Sequence, residues 1–163
     1  MILRALALAG GLAGAATTSQ FPEFSQQYIQ RLGGAVDALG EVVADFDASA
    51  QAVGLDRQAA LAQMQGTAFL DRRRSDMTAT IARFERLSVD LDTLQGHGPF
   101  MRAYHLPRIT DPQIASAAWA VYQPALPLNF AGGIFAAVGF VVGGGVLGAV
   151  LRLLRWPWRR KAA

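Results

Sequence analysis

The sequence contains no cysteine, which excludes disulfides, thiolate catalysis, cysteine metal sites and thioether haem attachment. Histidine is nearly absent as well. His97 lies in the turn Gly96-His97-Gly98, and His105 precedes Leu106-Pro107. Neither has a partner histidine or a neighbouring carboxylate at helical ligand spacing, so both read as loop residues. The apolar segments at the two ends carry no histidine, the commonest protein ligand of haem iron and of a chlorophyll magnesium. No bound cofactor or metal is therefore expected, although packing beside cofactor-carrying subunits stays open. There is no nucleophile elbow, no phosphate-binding glycine loop and no histidine–carboxylate set, so neither catalysis nor a small-molecule substrate is expected. No stretch alternates as a strand does, and the expected fold class is all-α.

The charge that is present is unevenly placed. Arg4 and the five basic residues from Arg152 to Lys161 sit at the two ends, whereas Ser19 to Asn129 holds 12 acidic and 9 basic residues. The basic character thus belongs to the flanks of apolar segments and not to a nucleic-acid-binding face. Asp45-Phe46-Asp47 and Asp90-Leu91-Asp92 resemble metal-binding pairs, but residues two apart on a helix point roughly 200° away from each other. They read as solvated flanks of a buried Phe46 and a buried Leu91. Arg72-Arg73-Arg74, with Asp71 and Asp76 beside it, reads as surface pairing.

Phe130 to Leu151 contains no charge and nothing more polar than glycine. As a helix it is ~33 Å long, enough to cross the hydrocarbon core of a bilayer. Arg152, Arg155, Arg159 and Arg160, interleaved with Trp156 and Trp158, then mark a basic, aromatic membrane interface. At the other end, Met1 to Thr18 places Arg4 before an apolar stretch from Ala5 to Ala16. This fits a secretory signal with a small-residue site at Ala13-Gly14-Ala15, and it fits a short uncleaved transmembrane helix reaching Phe21. We carry the uncleaved helix forward. Under either reading the basic ends face the cytoplasm, and the acidic middle faces the opposite side, the periplasm of a Gram-negative cell.

The middle predicts two long helices of similar length. One starts near Pro22, carries the stripe Tyr28, Leu32, Ala35, Val36, Leu39, Val42, Val43 and Phe46, and stops at Gly54. The other covers 69–95, with Leu70, Met77, Ile81, Phe84, Leu87, Leu91 and Leu94 on one face, and stops at Gly96. Asp56 is a cap for a short helix between them, and Asp111-Pro112 starts another that runs through Tyr122. Gly33, Gly34 and Gly40 imply close helix approach or a bend, since each costs about 1 kcal/mol relative to alanine in a helix. Trp119 and Tyr122 are placed for the outer membrane interface, and Asn129 for capping the span. The expected layout is an N-terminal membrane helix at 1–20, a helical hairpin at 21–128, a membrane helix at 129–152 and a basic tail at 153–163.

Glycines are spaced by four in the C-terminal span: Gly139 and Gly143, Gly144 and Gly148, with Gly132 and Ala136 alike. Small residues at this spacing flatten a helix face and admit another helix. The N-terminal Gly10, Gly11 and Gly14 offer a matching surface, and another protein subunit is the alternative occupant. Neither span carries a polar side chain beyond its ends, which argues against a proton or ion pathway.

The stretch Ser19-Gln20-Phe21-Pro22-Glu23-Phe24, continuing through Gln26, Gln27, Tyr28 and Arg31-Leu32-Gly33-Gly34, resembles a bacterial membrane-protein family known as a domain of unknown function. A second motif, from Asp76-Met77 to Thr80-Ile81-Ala82-Arg83-Phe84-Glu85-Arg86-Leu87, is similar too. The resemblance covers nearly the whole chain and brings no activity, cofactor or catalytic residue. It implies that Phe21 and Phe24 anchor at the membrane exit. From these readings the expected role is a non-enzymatic accessory subunit of a larger inner-membrane complex, with membrane lipid and other transmembrane subunits as partners. Respiratory and photosynthetic electron-transport complexes are candidate hosts. The alternative is a self-associating periplasmic coiled-coil module that binds or senses envelope components.

Overall fold

A computed structural model describes residues 2–122 and 129–159. The described residues are helical with no strand: α1 (Ile2–Thr18), α2 (Phe21–Ala52), α3 (Arg57–Gln63), α4 (Ala68–Leu94), α5 (Pro99–Tyr104), a 3-10 turn (Leu106–Arg108), α6 (Pro112–Val121) and α7 (Phe130–Arg159). The chain divides into two compact units. One comprises the chain through Gln26, Gly98–Ala103 and the chain from Val121; the other comprises Gln27–His97 and Tyr104–Ala120.

The second unit is built on α4 and the greater part of α2. Local chemistry sets the ends of its helices. Asp56 accepts a hydrogen bond from the Ala59 N–H at 2.7 Å and caps α3, and Thr67 accepts from Leu70 N–H at 3.2 Å and caps α4. After α2, α3 and α4 the chain turns at Gly54, Gly66 and Gly96, all with positive φ, a conformation in which a Cβ would be strained. Val43, Leu61 and Ile81 form a buried cluster with Phe46, Met64, Met77 and Phe84 against it. The C-terminal half of α2 thus meets the N-terminal half of α4, as antiparallel helices do. Tyr28, Leu32, Leu87 and Leu94 are buried too, as are Ile114 and Ala118 of α6.

The expected glycine approach holds at one position of three. A Cβ on Gly40 would stand 3.1 Å from Phe84 Cε2, whereas Gly33 and Gly34 face open space. Two further elements lie outside the periodicity argument: α5 and the 3-10 turn are too short to show a helical stripe. The α7 helix also continues past the expected end at 152 to Arg159. Its last turns contain Pro157, which has no backbone N–H to donate to the helix.

In the first unit, α1 and α7 run antiparallel in close contact. Among the described residues, α7 is the one helix long and apolar enough to cross a membrane, over Phe130–Leu154. At 17 residues α1 is about 26 Å long, shorter than the ~30 Å hydrocarbon core. Asn129 accepts from the Gly132 N–H at 2.7 Å and caps α7, as its position implies.

The open space around Gly34 gives a direct test. Gly34→Ala raises the unfolding free energy by roughly 0.5–1 kcal/mol through backbone entropy alone. Gly40→Ala gains less or loses, because Phe84 must yield. Chemical denaturation followed by circular dichroism of the two variants in one detergent measures the difference.

Candidate functional site

Three features concentrate the chemistry of this chain: the α1–α7 seam, the aromatic group at one end of it, and a buried charge cluster in the second unit. The seam comes first. A Cβ on Gly14 would overlap the Gly139 carbonyl oxygen, and one on Gly143 would overlap the Gly10 carbonyl oxygen. A Cβ on Gly139 would overlap Thr18 Oγ1 and the Gly14 carbonyl. A Cβ on Gly10 would meet Leu147, one on Gly11 would meet Phe140, and one on Gly144 would stand 3.2 Å from the Ala7 carbonyl oxygen. Here the obstacle is mostly backbone, which cannot rotate away. The helices approach to a distance that only glycine allows, close enough for Cα–H groups to face carbonyl oxygens. Thr18 Oγ1 donates across the seam to the Phe135 carbonyl at 2.6 Å, with its own-turn Gly14 carbonyl at 2.9 Å sharing the proton.

Of the six small residues expected to form this face, Gly139, Gly143 and Gly144 meet α1. Gly132 is buried and Ala136 half-buried. Gly148 has open space where a side chain would begin, as do Gly133 and Gly145. The outward faces of both helices are apolar: Leu6, Leu8 and Leu12 on α1, and Val138, Val141, Val142, Val146 and Val150 on α7, are all exposed. In water such a surface costs about 25 cal/mol per Å² of apolar area.

At the α1–α2 junction, aromatic rings gather on Phe135. Phe21 lies 5.4 Å from it at 40°, and Phe100 of α5 stacks on it at 5.4 Å and 7°. Phe24 meets Tyr122 edge-on at 6.5 Å, and the Tyr122 hydroxyl donates to Gln20 Oε1. Among the expected interface anchors, Phe21, Phe24 and Tyr122 are therefore half-buried and engaged with one another's neighbours, while Trp119 on α6 is exposed. Arg152 is exposed on α7. Arg155, Trp156, Trp158 and Arg159 contribute backbone to α7, and their side chains lie outside the described part; Arg160 lies outside the described residues altogether. Phe100 is a member that the sequence did not mark, because α5 is too short to show a pattern.

The charge cluster departs from expectation. Asp90 is not a solvated flank: it is 3% exposed, and Arg108 donates to it at 3.2 Å. Leu91 is half-buried instead. Asp111, 5% exposed, accepts from the Gln113 and Ile114 N–H groups at 3.1 Å each and so caps α6. It also receives Arg83 at 3.2 Å and Arg86 at 3.6 Å. The Asp111 N–H donates to the Tyr28 hydroxyl at 3.4 Å. Desolvating a carboxylate costs several kcal/mol, and here two guanidinium groups and two amide donors offset it. Arg83 Nε is buried without a partner among the described residues. Burial, followed by the Asp111 and Asp90 charges, raises the Tyr28 pKa above its usual 10.0, although the hydrogen bond from Asp111 works the other way. At the far end of the unit, Arg57 pairs with Asp47 at 2.6 Å and reaches Glu85 at 3.6 Å. The Asp47 carboxyl is held below its usual value first by that hydrogen bond.

His97 and His105 have no sequence pattern in common, yet their rings stack at 5.7 Å and 14°, with Tyr104 edge-on to His105. Among the described residues, no three histidine or carboxylate groups converge as a metal site would require. The groove between α3 and α4, about 410 Å³, is lined by Arg57, Leu61, Arg74, Ile81 and Glu85. Its one strongly placed cation, Arg57, is already neutralised.

The family model described as "Protein of unknown function (DUF2937)" matches residues 2–160. The chain belongs to this family. It spans the seam, the hairpin and the charge cluster alike, so the DUF2937 unit is the whole architecture described above and not one part of it. No curated protein and no solved structure matches the sequence.

Two outcomes follow from the geometry. Gly143→Ile, which forces a branched side chain into the Gly10 backbone, destabilises the helix pair by about 1–3 kcal/mol, as overpacking does. Gly145→Ile, facing open space, leaves the melting temperature in mild detergent unchanged. Separately, a tyrosine whose folded pKa is raised holds its proton when the unfolded chain has lost it. Stability is therefore complete below pH 10.0 and declines as pH rises through the folded value. Tyr28→Phe removes that part of the alkaline decline, measured by denaturant titration between neutral pH and pH 11.

Proposed function

We propose that this DUF2937 protein is a non-enzymatic accessory subunit of a larger bacterial inner-membrane complex, held in the bilayer by α1 and α7 as a two-helix hairpin. The observation that carries the reading is the combination of a backbone-close glycine seam with apolar outward faces on both helices. Close pairing lets the short α1 share the depth of α7, and hydrophobic mismatch at its ends is absorbed by tilt or local thinning at modest cost. The side chains facing out are valine, leucine and phenylalanine, so the pair offers surface for lipid or for other transmembrane helices and no polar pathway. The arginines at both sequence ends favour the cytoplasmic side, which sets the acidic helical hairpin in the periplasm. An electron-transport complex, respiratory or photosynthetic, is the host this reading favours.

A scaffold role also fits the ion pairs. Asp111 pairs with Arg83 and Arg86, and Asp90 with Arg108, so these pairs tie α6 and the 3-10 turn to α4. The self-associating coiled-coil alternative needs the Tyr28–Phe46 stripe to be free. Tyr28, Leu32 and Val43 of that stripe are buried within the chain, and Val42 is its exposed large member.

Affinity purification of the full chain in mild detergent, with mass spectrometry of co-migrating proteins, tests the reading. The expected result is a defined set of integral membrane proteins at constant ratio. A monomer alone in every lipid-like condition overturns the subunit role. Disulfide-linked dimers of Val42→Cys formed in membranes would favour the self-associating alternative.

A further inference from the structure

The α5 helix carries an apolar surface that neither the seam nor the hairpin uses. Phe100 is 46% exposed and Met101 45% exposed. Gly98–Ala103 belongs to the same compact unit as α1 and α7. Its position along α7 is fixed by the parallel stacking of Phe100 on Phe135. Phe135 stands five residues into α7, about 8 Å from its start at Phe130. The apolar stretch Phe130–Leu154 has 25 residues. That is about 37 Å of helix, roughly 7 Å longer than the ~30 Å hydrocarbon core, or about 4 Å at each end when the excess is shared, so Phe135 lies within about one helical turn of the core's edge. A ring stacked on Phe135 is therefore held at the boundary between headgroups and acyl chains.

The charge at this level suits lipid as well. No carboxylate occurs between Asp92 and Asp111, and the compact unit that holds Gly98–Ala103 has one acidic side chain, Glu23. Arg102 bonds through Nη1 to Gln26 Oε1 at 2.7 Å, and among the described residues no carboxylate pairs with it. Arg102 Nε is buried and without a partner there. An aromatic and a thioether side chain beside an arginine with no ion pair among the described residues is the composition of a segment lying in the membrane interface.

We propose that α5 is an interfacial helix seated on the bilayer surface, with Phe100 and Met101 inserted among the lipids and Arg102 at the level of the phosphates. The proposal rests on the reading of α7 as a membrane span. Its consequence is a protein–lipid contact beside the span that fixes the depth of the helix pair in addition to the α7 end residues.

The test uses the full chain, whose lack of cysteine gives a clean background. Single variants Met101→Cys, Val141→Cys and Ser75→Cys carry a nitroxide label in vesicles of phosphatidylcholine and phosphatidylglycerol. Power-saturation electron paramagnetic resonance compares collisions with oxygen, which partitions into lipid, and with a water-soluble nickel chelate. The expected oxygen-to-nickel ratio is several-fold higher at positions 101 and 141 than at position 75. A nickel-accessible label at 101 with a lipid-exposed label at 141 overturns the α5 proposal and leaves the span reading intact. A label at 101 shielded from both reagents also overturns it, because a protein surface then covers α5. A nickel-accessible label at 141 overturns the span reading and the α5 proposal together.

Discussion

The contact between the Gly10–Gly14 turn of α1 and the Gly139–Gly143 turn of α7 is the constraint on which the first unit depends. Backbone carbonyls on each helix sit where the other would carry a methyl group. At so close an approach the contact rests on backbone packing, weak Cα–H contacts and the few available hydrogen bonds. The Thr18–Phe135 bond is one such hydrogen bond, and it lies at the end of the seam where the chain leaves α1 for α2. Phe21 packs on the same residue, Phe135, whose carbonyl accepts the Thr18 bond. The glycine seam, the interhelical hydrogen bond and the aromatic group are thus consecutive parts of one contact.

The second unit is held by a different kind of interaction. Its apolar cluster around Val43, Leu61 and Ile81 is small, and at the other end buried carboxylates take over. Asp111 caps α6 and binds arginines of α4, so a single side chain sets both where α6 begins and what it rests against. Asp90 of α4 holds the 3-10 turn by its pair with Arg108. Removing either carboxylate would leave guanidinium groups without their partners, a larger loss than the net worth of the pair. This explains how a chain without disulfides fastens its short connecting helices.

These arrangements bear on function by what they consume. Of the glycines that offered a docking face, Gly139, Gly143 and Gly144 meet the chain's own N-terminal helix, while Gly148 has open space. The stripe that offered a coiled-coil seam is largely buried within the hairpin. The surface still open is the outer apolar face of α1 and α7 and the α5 segment. The outward large side chains of α1 and α7 are valine, leucine, isoleucine and phenylalanine.

Much of this was legible in the residues. Hydropathy and length mark α7, periodicity marks α2 and α4, and Asp56, Asn129, Asp111 and the turn glycines mark the ends, because helix termini have local chemical requirements. The small-residue face was legible as a face, and its match to Gly10, Gly11 and Gly14 was one of two open choices. Tertiary structure decided the choice, since pairing depends on which backbone comes close and not on spacing alone. It also decided that Gly40 is a contact while Gly33 and Gly34 are not, that Asp90 is buried beside Arg108, and that His97 and His105 stack. Each of these depends on a residue distant in sequence, and helical period says which side a residue faces but not what waits there.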